Sequence, residues 1–209
     1  NLNENANRTM AVLDPIRVVV DNYPDDKCDE IKVPINPNKP ELGDYTVYFT
    51  KEFYMERSDF SENPPKGFFR LTTENEVRLK GAYYVKFASA ERDENGEITT
   101  LHVTYDPETF GGESPDKRKV KGTLHWISTS HSKDAEVRLY DRLFNVENPS
   151  DESGVNDFTD HLNPDSMTVL KGCKIGDDVA NSKCGETFQF MRQGYFCKDT
   201  KSTDDNIII

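Results

Sequence analysis

The stretch Arg118-Lys119-Val120-Lys121-Gly122-Thr123-Leu124-His125-Trp126 decides how this chain is read, together with Glu136-Val137-Arg138-Leu139-Tyr140-Asp141-Arg142-Leu143-Phe144 shortly after it. Both runs set arginine or lysine among β-branched, aliphatic and aromatic residues. That is the pattern of strands with one face in a core and a cationic face in solvent. The first run holds the single tryptophan, and a lone tryptophan in a strand is expected to fill a barrel interior. Cationic strands without a catalytic signature point toward an anion-rich partner.

Working outward, the same β pattern recurs. Asp14-Pro15 punctuates residues 11–20, and the β-branched residues after it predict a strand. Four prolines and many charges between Asp21 and Pro40 argue for an extended loop and against a central strand. Residues 45–49 and 51–57 read as strands, the second with Phe53 and Met55 on one face. Val77-Arg78-Leu79-Lys80 alternates apolar and cationic residues, and Tyr83, Val85 and Phe87 continue the alternation. Asn95-Gly96 favours a tight hairpin, and Leu101, Val103 and Tyr105 answer on the returning strand, giving a β-meander. Downstream, residues 157–161 suggest a helical turn and residues 166–170 a short strand. Residues 188–197 give the last strong β signal, with Gly194 at a bend. There is no repeat and no long amphipathic helix. An all-β chain of two barrels with few short helices is expected, the first over residues 1–117 and the second over 118–209. The C-terminal segment is expected to return toward the first barrel.

Composition bounds the function. Hydrophobic residues make up 34% and charged residues 31% of the 209, so the cores are thin, as in small barrels. No run of about 18 apolar residues exists to span a membrane. The polar opening Asn1-Leu2-Asn3-Glu4-Asn5 carries no signal-peptide pattern, so a cytoplasmic location is expected. The net charge of −12 does not exclude nucleic acid, because binding needs a local basic surface rather than a basic average. The acid gathers in loop-like segments, and the base in residues 117–121 and around Arg70, Arg78 and Arg138. Cys28, Cys173, Cys184 and Cys197 form no CxxC pair and lack zinc-ligand spacing, so free thiols and no metal are expected.

Catalytic chemistry is missing. His102, His125, His131 and His161 form no HxxxH or HExxH. Ser128, Ser130 and His131 lie close together, but no nucleophile-elbow pattern surrounds them. No phosphate-binding glycine motif is present. The chain alone reads as non-catalytic.

An ordered set of motifs goes further. Met10-Ala11-Val12-Leu13-Asp14-Pro15, Pro37-Asn38-Lys39-Pro40-Glu41-Leu42-Gly43, Glu76-Val77-Arg78-Leu79-Lys80 and Thr104-Tyr105-Asp106-Pro107 are followed by residues 116–126 and 137–144. Leu162-Asn163-Pro164-Asp165-Ser166, Phe188-Gln189-Phe190 and Gly194-Tyr195-Phe196-Cys197 close the series. Together they resemble the C-terminal anticodon-binding region of the glutaminyl-tRNA synthetases, class I aminoacyl-tRNA synthetases, over nearly the whole chain. The resemblance implies two six-stranded β-barrels of a kind shared with a ribosomal RNA-binding protein. It implies an N-terminal catalytic domain in the same chain that uses ATP with Mg, and no cofactor in this part. It further implies a monomer whose partner is the anticodon loop of a glutamine tRNA.

Single-stranded RNA is read by splaying bases into pockets and bonding their edges, and arginine offers a planar fork to two acceptors. Carried over position by position, the resemblance gives Arg8 and Gln189 the middle uracil and Arg70 the final guanine. It puts Arg78 and Lys80 near the first base and its phosphate, Arg192 in support of the uracil pocket, and Asn3 and Asn38 in support of the loop. Gly67, Phe69 and Met191 depart from the family pattern beside these positions. Two related readings remain open: a glutamyl-tRNA synthetase of the archaeal or eukaryotic type, and a stand-alone RNA-binding β-barrel. A third, an all-β interaction or carbohydrate-binding module, predicts no salt-dependent affinity for tRNA.

Overall fold

The computed structural model describes residues 2–150 and 157–209. Among them the protein is mainly β, with a seven-stranded sheet, a four-stranded sheet, a three-stranded sheet and two two-stranded ribbons. The strands form where apolar residues recur at every second position. Glu76–Leu79 buries Val77 and Leu79 and turns Glu76 and Arg78 outward, and Glu52–Glu56 buries Phe53 and Met55. A half-buried sheet imposes that period of two.

The seven-stranded sheet runs in the order Thr123–Leu124, Glu76–Leu79, Tyr84–Arg92, Ile98–Asp106, Pro15–Val20, Glu52–Glu56, Ile127–Ser128. Its two edge strands thus come from a single segment, with Leu124 and Ile127 three residues apart in the chain. Three residues reach about 10 Å at most, so the sheet has to curl until its edges meet. Trp126 sits in the gap, 1% exposed. Its ring meets Phe49 and Phe53 edge-on at centroid distances of 5.1 and 6.2 Å, and its indole N–H donates to the Lys80 carbonyl at 3.0 Å.

The meander holds for the three strands between residues 76 and 106, which pair antiparallel in order. Ile98–Asp106 then pairs parallel with Pro15–Val20. At the hairpin tip, the Asp93 carboxylate accepts from the Asn95 and Glu97 amides, while Gly96 adopts φ +83°. The proline-rich region differs from expectation. Asp29–Pro34 is a strand, paired antiparallel with Asp44–Phe49, and it buries Ile31 and Val33. A two-stranded ribbon needs ladder donors on only one side, so a strand ending at Pro34 is tolerated there.

The second core gathers Ala135, Val137, Cys173, Ile175, Val179, Phe188 and Phe190. The sheet over it runs Ile207–Ile208, Lys133–Tyr140, Met167–Ile175, Ala11–Val12. The seam between the cores is shared along the chain. Asn7–Thr9 pairs parallel with Thr187–Phe190, and Ala11–Val12 pairs antiparallel with Met167–Ile175. Met10 and Val12 nevertheless pack in the first core while Ala11 packs in the second. The four cysteines are free thiols. Among the described residues no helix is long and apolar enough to cross a membrane.

One surface cluster makes stability depend on pH. His102 Nδ1 lies 2.6 Å from Asp21 and Nε2 lies 3.1 Å from Glu91. These two hydrogen bonds, Asp21 first, raise its pKa above 6.5. A raised folded-state pKa gives stability that is fully present below the unfolded value and lost as pH rises through the folded one. Thermal melts from about pH 6 to 8 are expected to show this decline, and His102→Gln is expected to flatten it. An unchanged slope in the variant would assign the dependence to another group.

Candidate nucleic-acid interface

Two of the anticipated site residues meet on the seam. Arg8 is the central residue of Asn7–Thr9, fixed by its amide donating to the Ile35 carbonyl at 2.8 Å. Its register partner on Thr187–Phe190 is Gln189, and partners in a ladder present their side chains on one face. Among the described residues, neither Arg8 Nε nor Gln189 Oε1, both buried, has a hydrogen-bond partner. Each orphaned group costs about 1–3 kcal/mol until something satisfies it. An unmet N–H donor beside an unmet carbonyl acceptor complements a ligand edge with an acceptor next to a donor. The edge of uracil has that arrangement.

A second cluster lies where the hairpin of Thr187–Phe190 and Gly194–Cys197 turns. Arg192 stands in the turn at φ +68°, a left-handed conformation uncommon outside glycine. Its guanidinium grips Asp59 in a bidentate pair, both bonds 2.7 Å, which raises the arginine's pKa. Arg70 Nε reaches the same carboxylate at 3.1 Å, and Arg70 Nη1 donates to the Ser58 carbonyl at 3.1 Å. Arg70 and Arg192 open onto one cleft of about 450 Å³, which Lys66 and Lys121 also line.

Behind Arg192 lies a buried polar chain. Arg192 Nη1 approaches His125 Nδ1 at 3.4 Å. A guanidinium only donates, so Nδ1 accepts and the imidazole proton sits on Nε2, 3.3 Å from Glu56. Burial pushes the Glu56 pKa up, but bonds from His125 and from the Leu13 and Asp14 amides outweigh it and hold the carboxyl below its usual range. Glu56 also accepts from Gln193 Nε2 at 2.8 Å.

Arg78 and Lys80 face a neighbouring cleft with Lys32, Gly111 and Gly112. The Arg78 guanidinium lies 5.3 Å from the Tyr84 ring centre and donates to the Tyr84 hydroxyl at 3.0 Å. Its Nε, like Arg8 Nε and Gln189 Oε1, is a buried polar atom without a partner among the described residues. Arg118 approaches the same ring at 5.0 Å. It is committed to Glu76, Asp106 and Asp116, so it braces the structure and is not an available phosphate contact.

Asn38 is exposed, and its amide donates to Asn36 Oδ1 at 3.0 Å. Asn36 in turn donates to the Glu4 carbonyl, and Lys39 to Asn5 Oδ1, so this loop ties to the chain's opening turn. The Asn3 side chain lies outside the described residues. Of the departures, Phe69 is 55% exposed with Lys121 Nζ 4.9 Å from its ring centre, an open apolar face in a basic setting. Gly67 takes φ +86°. Met191 packs against the first core. Gly122 allows the backbones to close, since a Cβ there would lie 2.3 Å from the Phe69 carbonyl oxygen.

The structure thus joins Arg8 with Gln189 and Arg70 with Arg192, and sets Arg78 with Lys80 in a separate cleft. Sequence reasoning missed Asp59, Glu56 and His125, the buried groups that hold the arginines. Asp59 lies in a short turn between strands, where an acid is ordinarily solvated. Its one signal was position, between the apolar run at 53–55 and Phe60.

Comparison with known proteins gives the family. Two family models, both described as tRNA synthetases class I (E and Q), anti-codon binding domain, match residues 6–106 and 123–199. A glutamine–tRNA ligase of Vibrio parahaemolyticus is 46% identical over 209 residues, the whole of this chain and 37% of that protein. One of Bradyrhizobium diazoefficiens is 46% identical, covering 97% of this chain and 36% of the relative. One of Haemophilus influenzae is 47% identical, covering 97% and 35%. The chain therefore spans little more than a third of the length of these relatives. With both family models matching it, this chain belongs to the anticodon-binding domains of the class I tRNA synthetases (E and Q).

Proposed function

We propose that this chain is the tRNA-reading part of a glutamine–tRNA ligase, and that it selects the glutamine anticodon by its bases. The observation that carries the base-reading is the pair of unsatisfied buried atoms, Arg8 Nε and Gln189 Oε1, side by side on the seam. The names of the relatives support glutamine over glutamate. In this reading Arg70 and Arg192 take the final guanine and support the uracil, and Arg78 with Lys80 takes the first base and its phosphate. Asn3 and Asn38 hold the adjoining loop. The ligase reaction, with ATP and Mg, belongs to a catalytic domain N-terminal to this part. Among the described residues no group of three or more His, Cys, Asp or Glu side chains is placed to hold a metal. The same proposal takes the whole enzyme as a cytoplasmic monomer. It takes the two cores as two units, with residues 123–128 assigned to the first and the seam strands at 7–12 shared.

The test is a titration with a glutamine-anticodon stem-loop and with a loop altered only at the middle uracil, each at two salt concentrations. The uracil loop is expected to be preferred by roughly 1–3 kcal/mol, and Arg8→Ala to abolish the preference while the salt dependence persists. Equal binding of both loops, varying only with salt, would reduce these cations to phosphate anchors and overturn the base assignments.

A further inference from the structure

Asp59 ends the short turn Arg57–Asp59, and its side chain is 1% exposed. A carboxylate at that depth is stable as an anion only when donors replace the water it has lost. Arg192 supplies two hydrogen bonds, and Arg70 Nε adds an ion pair 3.1 Å from Oδ1, the oxygen that Arg192 Nη2 also binds. The arginines come from opposite sides of the seam. Arg70 directly precedes Leu71–Thr72 beside the first core, where Leu71 is buried. Arg192 follows the strand that carries Gln189, and the next residue back, Met191, donates its amide to the Thr9 carbonyl at 2.9 Å on the Arg8 strand.

Without Asp59 the two guanidinium groups would face each other as like charges across one cleft. With it they share an oxygen, so a shift of either changes the bond available to the other. The left-handed backbone at Arg192 persists only where its surroundings over-determine it, and the bidentate grip on Asp59 is the strongest restraint there.

We infer that Asp59 is a positioning residue that couples the middle-base and final-base subsites, so that the two bases are read together. The inference rests on the anticodon reading proposed above and adds a residue that itself need not touch RNA. A mismatch at the final base displaces Arg70, and one at the middle base displaces Arg192 from its support of the uracil; either loosens the shared carboxylate. The other subsite is then already weakened, and a second mismatch costs less than it would alone.

The experiment is a set of binding titrations of the 209-residue protein with four stem-loops: cognate, middle uracil changed, final guanine changed, and both changed. For the unaltered protein, the doubly changed loop is expected to lose several-fold less affinity than the product of the two single losses. Asp59→Asn keeps the shape and removes the charge, and in it the losses are expected to multiply. Arg192→Gly relieves the left-handed backbone while leaving Asp59 paired with Arg70. It gives the same readout should melting curves show that Asp59→Asn has unfolded. Multiplying losses in the unaltered protein would overturn the coupling and leave base reading intact. So would an Asp59→Asn protein that binds all four loops weaker by one common factor and keeps the non-additivity. If the unaltered protein prefers no loop, base reading itself fails and the coupling falls with it.

Discussion

Glu56→Ala is expected to lower the folding stability of the protein by about 3–5 kcal/mol. The side chain is 4% exposed and satisfies four donors at once. It takes the Leu13 amide at 2.8 Å, the Asp14 amide at 3.0 Å, Gln193 Nε2 at 2.8 Å and His125 Nε2 at 3.3 Å. Truncation leaves these buried donors without acceptors, in three segments that meet only here. Glu56→Gln keeps one oxygen but turns an amide toward donors, so it is expected to fall between the two. Acid is expected to do the same work as mutation. The folded-state pKa of Glu56 is lowered, so its stabilisation is present above the unfolded value of about 4.5 and is lost as pH falls through the folded value. Urea melts at neutral pH and at pH values well below about 4.5 give both quantities. A Glu56→Ala unfolding free energy within about 0.5 kcal/mol of the parent's, the range of ordinary surface substitutions, would show that the four bonds do not anchor the fold.

Trp126→Ala is expected to cost a further independent 3–5 kcal/mol or so. The indole closes the gap between the two edges of the seven-stranded sheet, so its loss leaves a cavity at the point of closure. It also leaves the Lys80 carbonyl without its donor. Lys80 and Arg78 share this stretch of chain, so loosening should reach their cleft, and weaker binding at unchanged base preference is expected. Trp126→Phe keeps most of the ring and is expected to be much milder. As Trp126 is the single tryptophan, its fluorescence follows unfolding of the parent, and circular dichroism serves for the variants. A Trp126→Ala protein that melts with the parent would mean the sheet closes without the indole.

Much of this was legible because half-buried strands repeat every second residue. Val77 and Leu79, Phe53 and Met55, and Leu101 and Val103 announce their strands without any tertiary information. Trp126 declared itself as core for a similar reason, since a large ring on a strand needs an interior. The strand at Asp29–Pro34 was hidden by prolines that exclude a central position but not one in a ribbon. The pairing of Asn7–Thr9 with Thr187–Phe190 left no local trace, as nothing in either short run specifies a partner so far along the chain. The resemblance named Arg8, Gln189, Arg70 and Arg192 as site residues. What makes them a site, the orphaned atoms and the shared Asp59, depends on burial, which charge patterns do not encode. Arg118 is the opposite case: a cation in a run that looked solvent-facing is spoken for by three carboxylates.

The seam strands also set a clock. Residues 7–12 leave the ribosome early, but their ladder partners lie at 167–175 and 187–190. At about 5–20 residues per second, the Arg8 strand waits on the order of ten seconds or more for Gln189 to be made. The curled seven-stranded sheet can close much sooner, once residue 128 has emerged. Arg8 spends that interval held to the first core by its amide's bond to the Ile35 carbonyl, with its ladder edge open until Gln189 arrives. Nascent chains stopped anywhere between the two events would hold a folded first core with Arg70, Arg78 and Lys80 in place, but would lack the Arg8–Gln189 pair proposed to read the middle uracil.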